Sequence, residues 1–197
     1  MIFNKRCCDE IQLFMQQGVF MGDSLERKIS IIIDSNGKKI VVVHDIIFKG
    51  KRKINWKDVE GYLKQYIGKI YQVVDTQDLI CIGKDLADEY SGSNDTARLK
   101  GTLAKAKANA AQAVPELIEI AGNRRFKSNM AVKHNINAKY GWYRYDSKFA
   151  LPVYNEDGKI ERYNIFLVEI LIRHAADGQL YLYDMVNIKK ETSTPFE

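Results

Sequence analysis

Between Lys139 and Lys189 the chain carries three extended runs, Lys139 to Tyr154, Ile160 to Arg173 and Gln179 to Lys189, each rich in Tyr, Phe, Ile and Val. The gaps between them are Asn155-Glu156-Asp157-Gly158 and Ala176-Asp177-Gly178. Asp-Gly between such runs signals a hairpin, because Gly takes the positive φ that the turn needs. The stretch from Lys133 to Pro195 therefore reads as one antiparallel meander with polar residues gathered at its ends. In the middle run Phe166, Val168, Ile170 and Ile172 share one face and Tyr163, Ile165, Leu167 and Leu171 the other, which predicts a central strand covered on both sides. Arg162 and Asn164 at its start converge on the rim of the sheet. In the third run Leu180, Leu182, Val186 and Ile188 face the core, and Asp184 interrupts them, either paired with a buried Arg or exposed at a bulge.

Upstream, Cys7 to Gln17 has apolar residues at roughly helical spacing and reads as a short amphipathic helix, a docking or core face. Lys28 to Asp34 and Lys39 to Phe48 flank Ser35-Asn36-Gly37-Lys38, a second hairpin signal. His44, inside the apolar run, reads as a structural residue. Asn55 caps a helix from Trp56 to Ile67 that Gly68 stops, and Lys69 to Val74 with Asp78 to Ile82 makes another hairpin. The turn formers and acids of Asp88 to Asp95 mark a boundary. Beyond it Thr96 to Val114 is Ala-rich and favours helix, and Pro115 starts a fresh one to Ala121. The fold class expected is α+β: an N-terminal β-hairpin, helix, β-hairpin unit over residues 1–90, then helices packed on a curved antiparallel meander over residues 91–197.

A hydrophobic content of 46% and a charged content of 28% over 197 residues argue against disorder and allow a sizeable core. The net charge of +5 is concentrated between Arg98 and Lys148, a local excess suited to phosphates or to a solvated helical face. Cys7, Cys8 and Cys81 support neither a disulfide framework nor a zinc site, which fits reduced thiols in a cytoplasm. No run of about 18 apolar residues and no ordinary signal peptide occurs, so a soluble protein without a membrane partner is expected. The P-loop, G-x-S-x-G and G-x-G-x-x-G patterns are absent, and carboxylates do not cluster at metal-ligand spacing; neither cofactor nor metal is expected.

The chemistry-bearing groups gather late. Lys139, Trp142, Arg144 and Tyr145 interleave rings with cations, which suits nucleic acid, where bases stack on rings and cations meet phosphates; the same pattern suits a half-exposed strand. Lys100, Lys107 and either Arg98 or Lys105 can line one side of the Ala-rich helix, and Asn164 adds a polar group at the rim. Thr192 and Thr194 stand beside Lys189 and Lys190, where a hydroxyl can hold a phosphoryl oxygen and a Lys can stabilise developing charge, unless the C-terminus is a frayed polar tail. Together these suggest metal-independent RNA cleavage, with His134 taking the proton from a ribose 2′-hydroxyl.

The blocks FKGKRKINWKDVEGYL, LKGTLAKAKANAAQAVPELIEIA, KHNINAKYGWYRYDSKFALPVY, ERYNIF and LYLYDMVNIKKETSTP resemble a domain of the large polyvalent proteins of bacterial phages and conjugative elements. That domain is similar to the barnase, EndoU, colicin and RelE-like nucleases. The resemblance runs from about Lys38 to Pro195. It implies helices followed by a curved antiparallel sheet and metal-independent RNase chemistry. It further implies a base at His134, phosphate stabilisation by Lys107 and Arg162, and a hydroxyl contact from Thr192 or Thr194, with His174 a second choice of imidazole. The alternative is a non-catalytic module that binds nucleic acid, or a protein partner of the same mobile element, through the basic face or the N-terminal unit.

Overall fold

The structure, a computed structural model, describes residues 27–50, 53–129 and 138–191. The segment Cys7 to Gln17 lies outside the described residues. The strands are β1 (Ile29–Ile33), β2 (Lys39–Val43), β3 (Ile70–Gln72), β4 (Leu79–Cys81), β5 (Gly122–Lys127), β6 (Trp142–Tyr154), β7 (Ile160–His174) and β8 (Leu180–Lys190). The helices are α1 (Trp56–Leu63), α2 (Leu86–Gly92), α3 (Asn94–Arg98), α4 (Gly101–Ala110) and α5 (Val114–Glu119). All eight strands form one sheet in the order β1-β2-β6-β7-β8-β4-β3, with β5 paired to β6 off that path. The protein is an α+β fold.

The meander is β6-β7-β8, antiparallel throughout. The whole sheet is mixed, because β2 runs parallel to β6 and β4 parallel to β8. The hairpins expected as part of an N-terminal unit therefore extend the meander, and their core residues Val41, Val59 and Ile80 join Phe149, Phe166 and Leu182 in one apolar cluster. Three hairpin turns share one hydrogen-bond arrangement. Asp34, Asn155 and Ala175 each donate their N–H to the carbonyl four residues on and accept from the N–H of Gly37, Gly158 and Gly178. The three glycines have φ of 75°, 76° and 81°, a left-handed position that costs another L-residue roughly 1–2 kcal/mol.

The described helices pack on one face of the sheet. Ala104, Ala106, Ala108, Ala110, Ala111 and Ala113 are all buried there, the small side chains letting the helix lie close to the strands. The long helix expected from Thr96 to Val114 is broken into α3, α4 and a 3₁₀ turn over Ala111–Ala113, with Leu99 and Lys100 extended and Gly101 at φ 53°. Asp88 to Asp95, expected as a boundary of turn formers, is helical for most of its length. Ser93 caps α3, accepting from the Thr96 N–H.

Candidate nucleic-acid interface

The strand β5 places Arg124 and Phe126 on one face by its period of two, and Phe126 lies opposite Tyr143 in β6. Their rings are 5.2 Å apart between centroids. The Arg124 guanidinium stands 4.1 Å above the Tyr143 ring and is steadied by Asp78, 3.5 Å from its Nε. At the end of β7, His174 comes within 5.9 Å of the Tyr143 ring and 5.0 Å of the Tyr140 ring. Lys139 Nζ is 5.3 Å from the Tyr140 centroid. The result is a ledge of rings with cations at its margins. Phe126 is 59% exposed and Tyr140 46% exposed.

Two local features fix this ledge. Gly141 has φ +98°, and a Cβ there would lie 2.8 Å from Phe126 Cε2, so only Gly lets the chain pass under that ring. Behind the ledge, Tyr145 is buried and its hydroxyl donates to Asp78 Oδ2 at 2.7 Å. Burial, then the hydrogen bond to the Asp78 carboxylate, push the Tyr145 phenol well above its ordinary range. Asp78 thus ties a core Tyr and a surface Arg into one assembly.

The opposite face of the same strands is an ionic ladder. Arg125 pairs with Asp146 at 2.6 Å and stands 3.7 Å from Glu169, which pairs with Arg144 at 2.5 Å and accepts from Asn187 at 3.1 Å. Hydrogen bonding to Arg125 holds Asp146 below the usual carboxylate range. Burial alone raises Glu169, but its hydrogen bonds with Arg144 and Asn187 and the charges of Arg144 and Arg125 outweigh that and hold it low. Asn187 reaches Glu169 because it sits at φ 54° where the β7/β8 register shifts, the geometry of a bulge. A groove of about 550 Å³ runs beside the ladder, lined by Lys38, Lys39, Asp146, Lys148, Glu169 and Lys189 among others; Asp146 and Glu169 pair within the ladder, and Lys148 pairs with Glu191.

Of the sequence-derived catalytic set, Lys107 and Arg162 are described, and they stand in different parts of the fold. His134, Thr192 and Thr194 lie outside the described residues. Lys107, expected to stabilise a phosphate, is 0% exposed and pairs with the buried Asp184 at 2.7 Å, under the helices. A cation there cannot meet a solvent-borne phosphate, and the partner of Asp184 is this Lys rather than an Arg. Arg162 is exposed but pairs with its neighbour Glu161 at 2.6 Å. It stands at the far end of β7 from His174, roughly 40 Å away at the rise of a strand; half-buried Asn164 lies near it, opposite Leu151. Lys100 and Lys105 belong to the helix layer, at the cap and body of α4. Trp142 packs edge-on against Tyr183 at 5.0 Å, and Arg144 is spent in the ladder. Tyr145 is core. Of the expected binding residues, Lys139 is on the ledge.

The residues that sequence reasoning undervalued are Arg124, Phe126 and Tyr140. The alternation Arg124, Phe126 was a usable signal, hidden because six residues from Gly122 to Lys127 carry little β-branched character. His44, expected to be a structural residue, has Nε2 2.8 Å from Ser30 Oγ. Among the described residues no three His, Cys, Asp or Glu side chains group as metal ligands, and no helix is long and apolar enough to cross a membrane. No family model, no curated protein and no solved structure matches this chain.

Proposed function

We propose that this protein is a nucleic-acid-binding module that takes single-stranded RNA on the ledge formed by Phe126, Tyr143, Tyr140 and His174, with Arg124 and Lys139 meeting the phosphates. The observation that carries the reading is the coexistence of exposed rings and an Arg standing over one of them, since stacking on rings and guanidinium planes is how unpaired bases are held. The ladder on the other face, by contrast, has its cations matched by carboxylates.

The test is fluorescence anisotropy with a short labelled single-stranded RNA. Phe126→Ala should weaken binding about tenfold, as the loss of one stacked base predicts. Arg124 and Lys139 acting on phosphates should give a slope of about −1.4 in log K against log salt. Binding that is absent, or unchanged in Phe126→Ala, would remove the proposal.

Ribonuclease action is the second reading. It is favoured by the position of His134 in the stretch that joins β5 to β6, the two strands supplying Phe126 and Tyr143. Lys107 takes no part in it. RNA cleavage in EDTA by the wild type and not by His134→Ala would support catalysis; binding without cleavage would leave the non-catalytic module.

A further inference from the structure

The end of the sheet at β1 carries a second surface. Among the described residues no strand lies beyond β1, and its sequence, Ile29-Ser30-Ile31-Ile32-Ile33, holds no charge, Pro or Gly. Natural edges are usually blunted by one of those devices or by a bulge, and the β1/β2 register runs without a shift from Ile29↔Val43 to Ile33↔Lys39. The Asp34 N–H donates to the Lys38 carbonyl and the His44 N–H to the Lys28 carbonyl, so residues 28, 30, 32 and 34 direct their backbone groups toward β2. Ile31 and Ile33 then direct N–H and C=O away from β2, to an edge that no described strand covers, and Ile29 its carbonyl, its N–H being taken by Arg27. The same residues share a face, on which Ile29 packs against the core while Ile31 and Ile33 are 37% and 68% exposed.

We infer that β1 pairs antiparallel with β1 of a second copy of this chain, joining two sheets across a two-fold axis at Ile31. The flanking charges favour that partner and register. With Ile31 opposite itself, Ile29 faces Ile33, and Lys28 faces Asp34 of the other copy at both ends. A shift of two residues either way loses that charge match, and a shift of one puts side chains on the wrong faces. Lys28 now lies 3.2 Å from Asp45, and Asp34 lies 4.0 Å from Lys148. The first of these contacts is exposed on both sides and leaves Lys28 free to swing.

The mass of the full chain in solution, followed over protein concentration by sedimentation, tests this. The wild type should pass from monomer to dimer as concentration rises. Ile31→Lys places two like charges opposite each other and removes the apolar contact, and should weaken self-association roughly tenfold or more with an unchanged circular dichroism spectrum. Should that variant fail to fold, Lys28→Asp serves: it sets carboxylate against carboxylate at both ends and should also weaken the dimer. A wild type that stays monomeric at all concentrations overturns the inference, as does a dimer that survives both substitutions.

Discussion

Gly141 joins backbone conformation to the proposed binding surface. Its φ of +98° is open to Gly, and its missing Cβ leaves room for Phe126. Gly141→Ala should therefore destabilise the protein by about 2 kcal/mol or more, from φ strain together with displacement of the ring. Because that ring is half of the Phe126–Tyr143 pair, the same variant should weaken RNA binding even under conditions where it is fully folded. Urea unfolding gives the first quantity and anisotropy the second. Gly61 in α1, where an added Cβ would meet nothing within 4 Å, supplies the contrast: Gly61→Ala should stabilise α1 by roughly 0.5–1 kcal/mol and leave binding alone.

At the scale of elements, α4 is pinned to β8 by Lys107 and Asp184. Asp184 Oδ1 lies 2.7 Å from Lys107 Nζ and accepts from the Met185 N–H, while Oδ2 accepts from the Ser93 hydroxyl, so one carboxylate also holds the start of α3. Breaking a buried pair from one side leaves a charge without a partner, and Lys107→Met alone should cost about 3–5 kcal/mol. Lys107→Met combined with Asp184→Asn, which keeps acceptors for Ser93 and Met185, should cost much less than the two single changes summed, a coupling that denaturant melts measure directly. Burial, opposed by Lys107, raises the Asp184 carboxyl from 3.8 to about 6. A raised carboxyl binds its proton more tightly in the folded state, so this group's contribution to stability is full below about pH 4 and is lost as pH rises through about 6. The stability advantage of the wild type over Asp184→Asn should accordingly shrink across that window. None of this pairing was legible in the sequence: the interruption of β8 by Asp184 was visible, but its partner is 77 positions away on a helix whose alanines read as packing. What the sequence did reveal was local. The Asp-Gly and Asn-Gly turns, the Asn55 cap and the strand periods all come from contacts a few residues apart, whereas the parallel pairings and the grouping of side chains into a site depend on tertiary order.

Across the whole molecule the sheet is unequal in its connections. Strands β6, β7 and β8 are long and paired along most of their length, whereas β2 meets β6 through two partner pairs and β4 meets β8 through two. The hairpins at both ends thus have short ladders into the meander and rely on apolar packing, with Val41, Val43, Ile80 and Ile82 buried under the helices. Backbone hydrogen bonds with little ladder behind them open locally, without global unfolding. Native-state hydrogen exchange should then find the slowest amides in β7, from Phe166 to Ile172, exchanging at the free energy of global unfolding. Amides of Ile70–Gln72, in the edge strand β3, should exchange faster and with a weaker dependence on denaturant. The β1 edge separates a monomer from the proposed dimer in the same experiment. If two copies pair there, the outward N–H groups of Ile31 and Ile33 gain protection as protein concentration rises, while β3 at the other end of the sheet does not. Equal behaviour of the two edges at every concentration would show that β1 remains unpaired.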